Sequence, residues 1–153
     1  MNLRPLLLVP LLLAAGCDEL FYSGLDSSST ADLPVFDFGN HPDLTGSAKL
    51  YGLYVTGRPR DTADWRTFWD IHISDGRRYS TVNRLGYGEL PADFRTVQYP
   101  DSLPAGWVFA ARGGYHGIGQ DCYFEITVDS LGERSIRALS EDEFQCIINP
   151  GGG

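Results

Sequence analysis

From Lys49 onward the chain consists of short runs in which apolar and polar residues alternate, each closed by a turn-forming cluster. Successive side chains of an extended strand point to opposite faces, so such a run buries one face and wets the other. Asp121 to Val128 alternates cleanly, with Cys122, Phe124, Ile126 and Val128 on one side. Trp69, Ile71 and Ile73 likewise face away from Asp70 and His72. Leu50 to Val55 is aromatic and β-branched, Phe94 to Tyr99 alternates again, Trp107 to Ala111 reads as a buried strand, and Ser135 to Leu139 follows a turn at Asp129 to Gly132. Asp75-Gly76 is a two-residue hairpin signal. It predicts a return strand over Arg77 to Val82, with Val82 opposite Trp69 and Tyr79 opposite His72. Eighteen glycines and nine prolines supply the punctuation. The pattern predicts an all-β fold, an antiparallel β-sandwich (or small barrel) of about seven or eight strands over residues 48–149. Ser140-Glu141-Asp142-Glu143 has the form of a helix-start capping box. Any helix there is short, because Cys146-Ile147-Ile148 reads as a final strand and residues 150–153 as a frayed tail.

The first residues have a different logic. Met1-Asn2-Leu3-Arg4 carries one positive side chain, and Pro5 to Ala15 carries no charge at all. This apolar run is too short for the roughly 20 residues of a membrane-spanning helix. A charged start, a short apolar run and small residues before a cut are the marks of a secretory signal. Ala14-Ala15-Gly16-Cys17 resembles the lipobox of bacterial lipoproteins, with Ala14 where that family more often has leucine. The resemblance implies cleavage after Gly16, a diacylglyceryl group on the Cys17 thiol and an acylated new amino terminus. Several acyl chains together make a stable membrane anchor. The competing reading is an ordinary cleaved signal with a chance cysteine. On the lipoprotein reading the protein belongs to the bacterial cell envelope, facing periplasm or exterior, and Asp18 resembles an inner-membrane retention signal. Residues 17–47, rich in Ser, Asp, Gly and Pro, read as the acylated terminus and a flexible tether. Within them Leu33 to Phe38 is an exception that suits an edge strand.

Removing residues 1–16 takes away Arg4 and no acid, leaving eleven basic residues against twenty acidic ones. Such a surface repels phosphate backbones, which argues against a nucleic-acid partner. Cys122 and Cys146 form an even pair in an exported chain, for which a disulfide is expected; the alternative is two separate buried thiols. His41, His72 and His116 have no ligand spacing to the cysteines or to each other, so no metal or other cofactor is expected.

No nucleophile elbow, paired zinc histidines or phosphate loop is present. The glycine-rich Gly113 to Gly119 run is followed by a strand, whereas a nucleotide-binding loop opens a helix. Leu103 to Phe109 is similar to the stretch entering a late strand of fibronectin type III and immunoglobulin-like domains. Phe109, however, stands where those domains usually carry a tyrosine, and a long hairpin follows. Only the sandwich class is retained from that similarity.

Two functional readings remain. One is a non-catalytic envelope module or accessory that binds a protein or glycan partner. The other is a small hydrolase using His116 and Asp121. The first takes Tyr115, His116, Trp65 and Arg112 as a ligand-binding rim around a loop from Arg112 to Asp121 held between two strands. Arg112 and Asp121 at its ends either contact the ligand or pair with each other. No residue is singled out as catalytic in this first reading.

Overall fold

The computed structural model describes residues 20–21, 23–38, 48–74, 76, 78–115, 118–119 and 121–149. Twelve strands and one helix follow in order: β1 (Leu20–Phe21), β2 (Ser23–Leu25), β3 (Val35–Phe38), β4 (Ala48–Pro59), β5 (Arg66–Ile73) and β6 (Ser80–Val82). Then come β7 (Arg84–Gly86), β8 (Phe94–Gln98), β9 (Trp107–Tyr115), β10 (Ile118–Gly119), β11 (Cys122–Val128), β12 (Arg134–Leu139) and α1 (Glu141–Ile148). A seven-stranded sheet has the order β12-β11-β9-β4-β5-β8, with β6 also on β4. A three-stranded sheet, β2-β3-β7, packs against it to make an antiparallel sandwich. The strand count exceeds the expected one because several strands span only two or three residues.

The core between the sheets is aromatic. Phe109 stacks on Phe124 with centroids 5.0 Å apart and meets Phe68 edge-on at 5.4 Å. Phe124 reaches across to Phe36 of the second sheet at 6.1 Å. A register shift between β4 and β5 beside Val55 and Thr56 lets the consecutive residues Phe68 and Trp69 both turn inward. That is the effect of a β-bulge, which sets two residues against one. Tyr87 ties a connection to this core: its hydroxyl donates toward the carbonyl oxygens of Phe68 and Asp101, at 3.1 and 2.7 Å, and accepts from the Asp101 N–H. Burial pushes that phenol up to about 12.

A second apolar cluster lies on the far side of the large sheet. Val108 and Ala110 of β9, Tyr123 of β11 and Leu139 of β12 are covered there by Phe144 of α1. The continuous apolar run Trp107 to Ala111 is explained by it, since β9 is buried on both faces. The capping box forms as expected: Ser140 Oγ accepts from the Glu143 N–H while Glu143 accepts from the Ser140 N–H. These contacts and Arg137 hold the Glu143 carboxyl down to about 2. At the other end of α1 the last turn has no basic residue of its own. Arg58, buried on β4, donates to the Ile147 carbonyl at 3.2 Å and meets one of the acceptors a helix end leaves open.

Four expectations are corrected. The sandwich begins well before Lys49: β2 lies in what reads as tether, and β3, within the stretch that suits an edge strand, is the middle strand of its sheet with Phe36 fully buried. The strands on either side of Asp75-Gly76 do not form a hairpin. β5 and β6 instead lie end to end along one edge of β4, His72 opposite Gly52 and Ser80 opposite Leu50. The edge of β5 that a hairpin needs is taken by β8. Cys146 to Ile148 is the last turn of α1 and not a strand, because the capping box starts a helix that Phe144 then fastens to the sheet. Finally, Cys122 and Cys146 are not bonded. Cys122 faces the core between the sheets, whereas α1 lies against the opposite face of β11, so the strand itself separates the two sulfurs.

Burial raises the Cys122 thiol to about 12 and leaves Cys146 exposed. A thiol-alkylating reagent under native, non-reducing conditions should therefore label Cys146 quickly. Cys122 should react only after denaturation, with no reductant needed. Peptide mass mapping that finds a Cys122–Cys146 cross-link would refute this separation.

Candidate functional site

The stretch predicted as a loop from Arg112 to Asp121 is partly strand. β9 continues through Tyr115, with Arg112 opposite Tyr54 and Tyr115 opposite Leu50 of β4. Ile118 and Gly119 form β10, which pairs in parallel with Leu20 and Phe21. His116 lies outside the described residues, as does Cys17. Arg112 and Asp121 pair with each other: Nε donates to Oδ2 at 3.0 Å. The Tyr123 hydroxyl approaches the same oxygen at 3.4 Å.

Trp65 stands elsewhere. Its ring packs against Phe144 of α1 with centroids 6.0 Å apart, and the Arg58 guanidinium lies 5.8 Å from its centre. The next residue, Arg66, is opposite Gly57. Gly57 and Leu50 are seven residues apart on β4, or roughly 23 Å at the rise of a strand. The indole therefore borders the helix end of the sheet face, and Tyr115 lies at the other end.

Asp121 instead borders a cavity of about 170 Å³ that the sequence did not announce. Ser23 and Gly24 of β2, Cys122 and Tyr123 of β11, Leu139 of β12, and Ser140 and Glu141 at the start of α1 contribute to its lining. The cavity exists because β2 reaches the end of β11, with residues whose composition is that of a tether. Burial is the main force on the Asp121 carboxyl and moves its pKa upward, against the pull of Arg112; Glu141 adds a smaller upward push. Tyr123 is also raised, first by burial and then by the two carboxylates.

The chemistry available in the cavity is limited. Ser140 is engaged as the helix cap. Cys122 stays a protonated thiol near neutrality, and only the thiolate is a good nucleophile. No histidine of the described residues lines the space. No family model matches the chain, and neither does any curated protein or solved structure.

If Arg112 is the group that restrains Asp121, replacing it should let burial act unopposed. Arg112→Met is expected to raise the Asp121 pKa further above the ordinary carboxylate value. A carbon-detected NMR titration of the aspartate carboxyls measures this. An unchanged or lowered value for Asp121 would contradict the arrangement.

Proposed function

We propose that the chain is a lipid-anchored, non-catalytic binding module of a bacterial cell envelope. The observation that carries the anchor is the order of features in the first 17 residues: Arg4, the uncharged Pro5 to Ala15, then Ala15-Gly16-Cys17. With an acidic surface that anionic lipid repels, attachment falls to acyl chains on Cys17. Among the described residues the first strand begins at Leu20, three positions after that cysteine. Three residues span at most roughly 11 Å. The module is thus held close above its membrane, without the long tether the composition suggests.

The non-catalytic half of the proposal rests on the state of the reactive groups. Asp121 is tied to Arg112, Ser140 caps α1, and the Cys122 thiol is protonated. A hydrolase using Asp121 draws no support from the cavity beside it. A rigid sheet with exposed aromatic side chains, by contrast, suits recognition.

Expression of the full precursor in a bacterial host tests the anchor. The mature protein is expected to start at Cys17 and to carry the mass of a diacylglyceryl thioether and an amide-linked acyl chain. Cys17→Ala should leave it uncleaved at Gly16. An unmodified Cys17 at the mature amino terminus would refute lipidation.

A further inference from the structure

The outer face of the large sheet is divided in two. Its β11–β12 side and the Arg58 end of β4 are covered by α1 and Trp65, whereas the Tyr51–Tyr54 stretch of β4 carries two exposed rings. Tyr51, Gly52 and Tyr54 of β4 line this stretch. Leu50 and Leu53 both point into the core, so Tyr51 and Gly52 between them fall together on the outside, and Tyr54 follows. A register shift between Leu50 and Gly52 against β9 accommodates the extra residue.

Two glycines then clear the surface. Gly52 and Gly114 are register partners on β4 and β9. A Cβ at Gly114 would lie 2.5, 2.9 and 3.1 Å from three adjacent atoms of the Tyr51 ring. An edge-on ring would put the second and third atoms much farther off than the first. Tyr51 therefore lies with one face against the backbone of β9 and turns the other to solvent, 47% exposed as a residue. Tyr54 beside it is 36% exposed. Neither ring packs on another aromatic ring or a cation among the described residues.

Polar side chains border the two rings. Arg112 and Asp70 are the neighbours of Tyr54 on either side, and His72 and Arg95 continue the next row. His72 Nε2 is 3.1 Å from Asp70 Oδ1, an oxygen that is itself buried and has no well-formed hydrogen bond. From β9 to β8 the row spans about 14 Å at the usual strand spacing.

We propose that this half-face binds a neutral oligosaccharide, with Tyr51 and Tyr54 as its stacking platform. The proposal supplies a ligand class for the binding module above and rests on that reading. A sugar ring has one flat C–H face and a rim of hydroxyls. It matches a flat aromatic surface bordered by carboxylate, guanidinium and imidazole groups, which donate and accept hydrogen bonds. Charge selects among glycans. Asp70 and Asp121 offset Arg95 and Arg112 locally, so the patch is balanced on a chain of net charge −8. A polyanionic glycan would meet repulsion from the whole molecule without a local basic cluster to offset it.

The test uses the purified full-length mature protein, acylated or not, so that a failed anchor and a failed site are read separately. Immobilised cellulose-, chitin- and starch-derived oligosaccharides form the neutral set, and sulfated and uronic-acid polymers the anionic set. The wild type should retain at least one neutral glycan. Tyr51→Ala and Tyr54→Ala should each weaken that binding about tenfold or more, while Trp65→Ala should not. Gly114→Ala provides a second handle, because its methyl group lifts the Tyr51 ring without removing it, and it should weaken binding as well. Capture of anionic glycans alone, capture of none, or equal binding by wild type and the two tyrosine variants would overturn the proposal.

Discussion

The sandwich depends on one close approach, the ring of Phe109 over Gly57. A Cβ at Gly57 would stand 2.5 Å from Phe109 Cδ1 and 2.7 Å from Cε1, well inside contact distance. With hydrogen there, Phe109 lies low on β4 and remains parallel to Phe124, at 15°. Phe124 carries the stack on to Phe36, and so joins the two sheets. Phe68 and Trp107 close around the same ring. Interiors are packed as densely as crystals, so a stack of this kind has little room to adjust. It therefore fixes the register of β4 against β9.

That register also decides what lies outside. With Leu53, Val55 and Gly57 inward, Tyr54, Thr56 and Arg58 must face outward. Arg58 becomes the partner of the helix end, and Glu125 beneath the same helix is held by Arg60 and Arg137. Glu125 is thus matched by two guanidinium groups, whereas Arg58 keeps its Nε without a hydrogen bond. The other half of the face keeps its aromatic rings in solvent. One strand consequently serves the core, the helix seat and the proposed binding surface.

The all-β sandwich was legible because Trp69 to Ile73 of β5, β8 and β11 alternate in the sequence, and the capping box gave away the start of α1. What misled was local. Asp75-Gly76 is a sound hairpin signal, but β8 competes for the same edge of β5, and the chain continues along β4 instead. Residues 23–32 look like linker by composition and hid β2, whereas Leu33 to Phe38 stood out as strand-like, and Phe36 and Phe38 fasten β3 into the core. Cysteine parity suggested a bridge. Side-chain alternation placed Cys122 correctly on the core face, but the pairing also needed the position of α1, which no local pattern supplies. At the candidate site, the Arg112–Asp121 pair was one of the two alternatives the sequence left open. The outward position of Tyr51 was not, because the bulge replaces alternation by a three-residue step from Leu50 to Leu53. Trp65 looked like a loop aromatic, since its partner Phe144 is 79 positions away in sequence.

The fold therefore depends on the contact between Phe109 and position 57, and a single methyl group tests it. Gly57→Ala should destabilise the fold by about 1–3 kcal/mol, the usual cost of forcing an extra methyl into a packed core. Equilibrium denaturant unfolding followed by tryptophan fluorescence reads this as a lower midpoint with an unchanged slope. A Gly57→Ala variant with the midpoint of the wild type would show that the ring does not lie where the register of β4 requires it.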